Sequence, residues 1–250
     1  GTGVWVAISM ISVSAIGMML FTSRPVGDAM ATIIWGTSSS WTLTALPLFV
    51  WMGEILFRTK LSKNLFEGLS PWMQKLPGGL IHVNVVGCAL FAAISGSSAA
   101  TVATVGKMSI PELRKRKYPE KILLGSLAGS GTLGLLIPPS IILIIYGVTV
   151  QESIAKLFIA GILPGIMIAA IFMLYVVFWS LLNKKVMPKS FEHFSFFQKI
   201  KKSKQLLPVI ILILAVIGSI YTGIATATEA ASLGVVGALV LSYFQKSLNL

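Results

Sequence analysis

Two stretches of the sequence place small hydroxyl side chains next to glycine or proline inside runs that are otherwise apolar. The first is SGSSAAT at 95–101, and the second is GTLGLLIPPS at 131–140. Serine hydroxyls and unpaired carbonyl oxygens are ligands for a small cation, and the amides at a helix start attract an anion. Both stretches are therefore candidate ion-binding breaks in helices.

The proline pair should break the second helix. Proline has no amide proton and its ring displaces the carbonyl four residues earlier, so the pair should release the carbonyls of Gly134 and Leu135. A residue that precedes proline also leaves the α region. We predict two half-helices with an unwound joint near 132–140. The candidate sodium ligands in this joint are Thr132, Gly134, Pro138 and Ser140.

The first break should form a tight turn between two helices. One helix should end near Ile94 and the next should start near Ser98, with Ser95, Ser97 or Ser98 as the cap. The hydroxyls here and the last carbonyls of the first helix can ligate a cation. The candidate cation ligands, later argued to bind sodium, are Ser95, Gly96, Ser97 and Ser98, and an anion such as a carboxylate is expected at the helix start formed by Ser98, Ala99 and Thr101.

Each break alone has a structural alternative. Glycine and proline are common in membrane helices, so the second stretch could be a plain kink and the first could be a site of close helix packing. Two breaks together favour a site, because secondary transporters build ion and substrate sites from discontinuous helices.

The carboxylates favour sodium over protons as the coupling ion. None lies at the centre of an apolar segment near either break, whereas a proton-coupled carrier usually has a buried group to titrate. Glu54 is expected to be interfacial or ion-paired. Glu229 is expected to cap or pack at a helix start, with Thr228 as the cap. These two residues would be reconsidered if a pH gradient drove transport.

Composition defines the fold class. The chain is 55% hydrophobic and only 11% charged, with a mean hydropathy of +0.87, whereas soluble domains carry about 25% charged residues. Apolar runs of helical rather than alternating pattern predict an all-α integral membrane protein, a polytopic helical bundle. One cysteine and two isolated histidines indicate no disulfide, transition-metal site or enzymatic cluster.

The positive charges test the predicted path of the chain. Of the 20 Lys and Arg residues, all but Arg24 and Lys156 fall on one face if 95–101 is the tip of a re-entrant hairpin. The positive-inside rule then makes that face cytoplasmic. Anionic lipid is the expected partner of the net charge of +12, and scattered loop charges argue against nucleic acid.

Several longer stretches resemble the large membrane subunit of the tripartite ATP-independent periplasmic (TRAP) transporters, the DctM-like family. They are LPLFVWMGEIL (46–56), GGLIHVNVVGCALFAAISGSSAATVATVGKMSIPEL (78–113), GTLGLLIPPSIILIIYGV (131–148), LFIAGILPGI (157–166) and TGIATATEAASLGVVGAL (222–239). The resemblance implies a sodium-coupled importer of organic anions in the bacterial inner membrane. It also implies a periplasmic substrate-binding protein, a small four-helix membrane subunit and an elevator mechanism. GSSAAT with GTLGLLIPPS looks most like the sialic-acid branch.

The resemblance also suggests a division of the chain. Scaffold helices and an interfacial arm helix should occupy 1–75, with a second apolar segment at 29–57 that is interrupted near 36–40 and at Pro47. Part of a transport domain should occupy 76–150, with the hairpin at 77–113 and the broken helix at 122–147. A long span and a basic cytoplasmic loop should follow at 151–205, and a second half should begin at 206–250.

The chain departs from the family in length. The family subunit has a second, inverted half with its own hairpin and broken helix, and only the opening of that half is matched here. We therefore expect an N-terminal half that does not transport alone. The alternatives are a scaffold or assembly fragment without a site, a proton-coupled carrier, a gated channel and an intramembrane enzyme.

Overall fold

The computed structural model describes residues 5–59, 61–188 and 194–245. Lys60, Lys189, Lys246 and His193 lie outside these ranges. The described residues form helices and no strand. The α-helices are α1 (Val6–Phe21), α2 (Val26–Ser38), α3 (Ala45–Phe57), α4 (Leu61–Met73), α5 (Ile81–Ser95), α6 (Ser98–Lys115), α7 (Glu120–Gly131), α8 (Ile141–Val150), α9 (Ile154–Leu182), α10 (Phe196–Ser203), α11 (Leu207–Tyr221) and α12 (Ala227–Phe244). The all-α prediction is confirmed.

Residues 1–41 and 42–250 form two separate compact units. In the first unit, α1 packs against α2. The predicted interruption near 36–40 is confirmed, because α2 ends at Ser38 and a short 3-10 helix covers Trp41–Thr44. The predicted interruption at Pro47 is wrong. Pro47 lies in the first turn of α3. Amides in the first turn form no hydrogen bond within the helix, so a proline there breaks none.

Three helices in the described part of the chain are long and apolar enough to cross a membrane. They cover Ile154–Leu182, Phe196–Tyr221 and Ala227–Phe244. Many large apolar side chains on α9 and α11 are exposed, such as Leu163 and Leu214. Because lipid chains can cover such side chains as water cannot, these surfaces fit a multi-pass membrane protein.

Helices α5 and α6 form a hairpin whose ends meet. They pack side by side across a two-residue turn, and the amide of Leu80, just before α5, donates to the Tyr118 hydroxyl, just after α6, at 3.1 Å. The 15 residues of α5 rise only about 22 Å, less than the hydrocarbon core of about 30 Å. These dimensions suit a hairpin that enters a membrane and returns.

The hairpin is held by the elements packed around it. Helix α7 packs on both arms, α9 packs on α5 and α7, and α3 packs on α5 and α12. Buried phenylalanines fill the core, with the rings of Phe49 in α3 and Phe158 in α9 meeting edge to face at 6.5 Å. Asn84 of α5 is fully buried and donates to the Ser126 hydroxyl of α7 at 3.0 Å. The hydrogen bond from Asn84 to Ser126 fixes the hairpin against α7.

Candidate functional site: the meeting of two helix breaks

The hairpin turn consists of two residues with opposite tasks. Gly96 ends α5 in the left-handed region at φ +59°, and its amide donates to the Ala92 carbonyl at 3.0 Å. Ser97 begins the next helix, and its hydroxyl accepts from the Ala100 amide at 3.4 Å. The predicted break is confirmed within one residue at each side. Of the three serines that could have capped α6, Ser97 is the cap.

Two of the hydroxyls at this turn face inward. The Thr101 hydroxyl donates to the Ser97 carbonyl at 2.7 Å and lies 3.1 Å from the Ser95 hydroxyl. Both side chains are buried, so they stabilise the turn from within. Thr101, a predicted substrate residue, therefore has its hydroxyl occupied inside the hairpin.

The Ser98 hydroxyl differs from its neighbours. Its oxygen is buried, and it has no hydrogen-bond partner among the residues that the structure describes. Buried polar groups are normally paired, because an unpaired one has lost its water without replacement. The oxygen of Ser98 is therefore a side-chain atom of this turn that is available to a ligand.

The second break lies where it was predicted. Helix α7 ends at Gly131, a 3-10 helix covers Thr132–Leu135, and α8 starts at Ile141. Ser140 caps α8, since its hydroxyl accepts from the Leu143 amide at 3.5 Å.

One of the two carbonyls expected to be released is occupied. The Ser140 hydroxyl donates to the Leu135 carbonyl at 2.7 Å. This bond corrects the expectation that both carbonyls are unpaired, because a hydroxyl five residues later replaces the amide that proline lacks. The Gly134 carbonyl, by contrast, accepts no hydrogen bond from the described residues.

The two breaks are in direct contact. The amide of Ile141 donates to the Gly96 carbonyl at 3.2 Å. A Cβ atom at Gly134 would lie only 2.8 Å from the Ser98 amide nitrogen, and one at Gly96 would lie 2.6 Å from the Pro139 carbonyl oxygen. Glycine at both positions thus lets backbone meet backbone, and it brings Ser98 beside Gly134.

The other predicted site residues are placed differently. Thr132 is exposed, and its hydroxyl donates back to the Gly129 carbonyl of α7, the preceding helix, at 2.7 Å. Pro138 is buried within the joint, and Ala99 is exposed at the start of α6. The meeting point of the breaks is therefore formed chiefly by 96–98, Gly134 and 139–141.

Gly53 of α3 is a neighbour of the site that the sequence did not identify. A Cβ atom there would lie 2.9 Å from the Ser95 Cα atom, so α3 passes directly against the hairpin turn. Its one sequence signal is a small residue between large ones in FVWMGEILF. That pattern shows close packing but not its partner.

Among the residues that the structure describes, no carboxylate takes part in the meeting point. Glu54 pairs with Arg58 at 2.8 Å, as predicted. Glu229 does cap α12, but with Thr226 rather than Thr228: the Thr226 amide donates to its carboxylate at 2.8 Å in a reciprocal capping box. The described residues contain no cluster of three His, Cys, Asp or Glu. The described groups at the meeting point are hydroxyls, carbonyls and helix ends.

Comparison with known proteins identifies the family. The family model described as "Tripartite ATP-independent periplasmic transporter, DctM component" matches residues 1–250. The chain belongs to the DctM family. The matched region includes both helix breaks.

Relatives in the DctM family carry the names of transport permeases. The C4-dicarboxylate TRAP transporter large permease protein DctM of Pseudomonas aeruginosa is 34% identical over 230 residues, 92% of this chain and 53% of that protein. The isethionate TRAP transporter permease protein DctMQ of Oleidesulfovibrio alaskensis is 33% identical over 245 residues, 97% of this chain and 38% of that protein. The ectoine TRAP transporter large permease protein TeaC of Halomonas elongata is 34% identical over 202 residues, 80% of this chain and 46% of that protein.

The chain spans about half the length, or less, of these relatives. Membership of the DctM family, with the long apolar helices, makes the chain part of a multi-pass membrane transport protein. Its relatives are named as permeases and not as enzymes.

Proposed function

We propose that this chain forms the N-terminal half of the permease of a sodium-coupled transporter that imports an organic acid. The observation that supports this function is the buried, unpartnered hydroxyl of Ser98, a residue whose backbone amide lies against Gly134. Sodium prefers oxygen ligands without a titrating proton, and the Ser98 hydroxyl and Gly134 carbonyl are two such ligands on opposite breaks. The remaining ligands come from the backbone of 95–98 and of the joint at 132–140.

The substrate anion is proposed to bind at the start of α6. The first amides of a helix have no partner within it, and the helix dipole favours negative charge there. The amides of Ala100 and Thr101 are taken by Ser97, which leaves those of Ser98 and Ala99 for a carboxylate. Relatives are named for C4-dicarboxylate, isethionate and ectoine, so the class is a small organic acid, with a sialic-acid-like solute as a further candidate.

The proposed transport cycle follows an elevator mechanism. The hydrogen bond between Ile141 and Gly96 ties the hairpin to the broken helix, so the two would move as one body and carry the ion between them. A periplasmic binding protein would deliver the solute, a small four-helix subunit would help to fix the scaffold, and the assembly would lie in the bacterial inner membrane.

The test is uptake in liposomes that contain the complete permease with its small subunit and binding protein. Radiolabelled succinate, and separately a sialic acid, would be followed under an inward sodium gradient or with potassium in its place. We expect uptake to need sodium and the binding protein, and to be lost in Ser97→Ala plus Ser98→Ala. Uptake driven by a pH gradient and indifferent to sodium would contradict the proposal and direct attention to Glu54 and Glu229.

A further inference from the structure

A cavity of about 960 Å³ lies between the amphipathic helix α4, the second half of α6 and the segment from Phe194 to Lys202. None of the candidate ion ligands lines it. Its walls combine aromatic rings with cationic side chains. This combination suits a ligand with an anionic head and an apolar continuation.

Positive charge predominates in the cavity. Five cationic residues line it, Arg58, Lys63, Lys107, Arg116 and Lys202, against the two carboxylates of Glu67 and Glu112. Both carboxylates are already paired: Glu67 lies 3.7 Å from Lys63 and Glu112 lies 2.8 Å from Arg116. Arg58 pairs with Glu54, outside the cavity lining.

Lys107 and Lys202 are the two cationic residues of the lining that take no part in these ion pairs. Neither ammonium forms an ion pair with a carboxylate in the described ranges. Each lies over a ring instead, Lys107 at 5.5 Å from the centre of Phe57 and Lys202 at 4.3 Å from that of Phe194. A ring face attracts the charge but does not satisfy the three N–H donors, so both ammonium groups can still bind an anion.

The surroundings of the cavity favour a membrane lipid over a soluble anion. Helix α4 buries Leu65, Phe66 and Leu69 and leaves Trp72 at the surface, which is typical of a helix that lies in the membrane interface. The cavity is also lined by Phe66 and Met108, apolar groups that suit the glycerol and upper acyl chain of a lipid. A small soluble anion would gain nothing from them.

We propose that this cavity binds the phosphate headgroup of an anionic phospholipid, with Lys107 and Lys202 as its main contacts. The lipid would join α6, the second arm of the hairpin, to α4 and α10. The inference rests on the cavity alone, so it stands or falls independently of the sodium site.

Native mass spectrometry of the complete permease provides the test. The protein would be taken from mixed nanodiscs of equal phosphatidylglycerol and phosphatidylcholine, and the retained lipids would be counted. Lys107→Gln plus Lys202→Gln is expected to reduce the preference for phosphatidylglycerol on the order of tenfold. The matched control, Lys115→Gln plus Lys201→Gln, removes the same charge from the same two helices outside the cavity lining and should keep the preference.

Three outcomes would overturn the proposal. They are no preference for phosphatidylglycerol in the unaltered protein, an equal loss in both variants, and displacement of the retained lipid by inorganic phosphate. Lys107→Arg plus Lys202→Arg keeps the charge and should retain the lipid. A loss in that variant as well, with the fold intact by thermal unfolding, would also count against a phosphate site.

Discussion

The amide of Ile141 donates a hydrogen bond to the carbonyl of Gly96 at 3.2 Å, and this bond links the two helix breaks. Both groups lie at helix ends, where backbone amides and carbonyls lack intrahelical partners. Ile141 opens α8 and Gly96 closes α5. Each break therefore supplies a partner that the other needs, and the hairpin turn and the joint should respond together to changes in either.

Gly96→Ala should destabilise the protein. An alanine at φ +59° is strained by about 1–2 kcal/mol, and its Cβ atom would also lie 2.6 Å from the Pro139 carbonyl oxygen. We expect a lower midpoint of thermal unfolding in detergent. Gly125→Ala is the control, because a Cβ atom there meets nothing within 4 Å and alanine favours a helix. Equal decreases in both variants would argue against a special role of the turn.

Ser98→Ala should separate sodium binding from folding. Its hydroxyl has no partner in the described structure, so its removal should leave the unfolding midpoint in potassium unchanged or slightly raised. The increase in that midpoint caused by sodium, which reports a bound ligand, should be lost. Ser109→Ala removes another buried, unpartnered hydroxyl on the same helix and should keep the sodium effect. A full sodium effect in Ser98→Ala would exclude its hydroxyl as a ligand.

Local signals in the sequence predicted the positions of both breaks but not how they meet. Glycine, serine and proline act on their own turn of backbone, so the breaks at 95–98 and 132–140 could be read directly. The contacts of Gly96 with Ile141 and of Gly53 with Ser95 join residues more than 40 positions apart. Such contacts depend on the packing of whole helices, which one sequence does not reveal.

Two side-chain hydrogen bonds that the predictions missed join residues close in sequence. Thr226 stands three residues before Glu229, the spacing of a capping box, and this pattern marks Thr226 rather than Thr228 as the cap. Ser140 follows the proline pair closely enough for its hydroxyl to reach the Leu135 carbonyl. In both cases a side chain supplies the hydrogen bond that the backbone lacks.

Asn84→Leu should loosen the hairpin from α7. The Asn84 amide group donates to the Leu123 carbonyl at 3.2 Å and to the Ser126 hydroxyl at 3.0 Å, and all of it is buried. Loss of these bonds should cost about 1–3 kcal/mol, measured as a lower unfolding midpoint. Asn183→Leu is the control, since the Asn183 amide bonds only the Trp179 carbonyl of its own helix among described residues. A larger effect at Asn183 would contradict this assignment.

Tyr118→Phe should weaken the closure of the hairpin at its open end. The Tyr118 hydroxyl accepts from the Leu80 amide at 3.1 Å, and phenylalanine would leave that amide without its partner. We expect a loss of about 1–3 kcal/mol at neutral pH, seen as faster hydrogen exchange at the start of α5. Tyr146→Phe, at an exposed position, should show no such change.

The raised pKa of Tyr118 should make the stability of the protein depend on pH in the alkaline range. Burial raises the pKa of Tyr118 above its ordinary value of 10.0, against smaller opposing effects of the Leu80 hydrogen bond and Arg116. Because the folded pKa exceeds the unfolded one, the stability it contributes is complete below pH 10.0 and is lost as pH rises above it. The unfolding midpoint should therefore fall more steeply above about pH 10 in the unaltered protein than in Tyr118→Phe. Tyr146→Phe retains Tyr118 and should keep the steep fall; equal slopes in all three proteins would show that Tyr118 does not titrate as its burial requires.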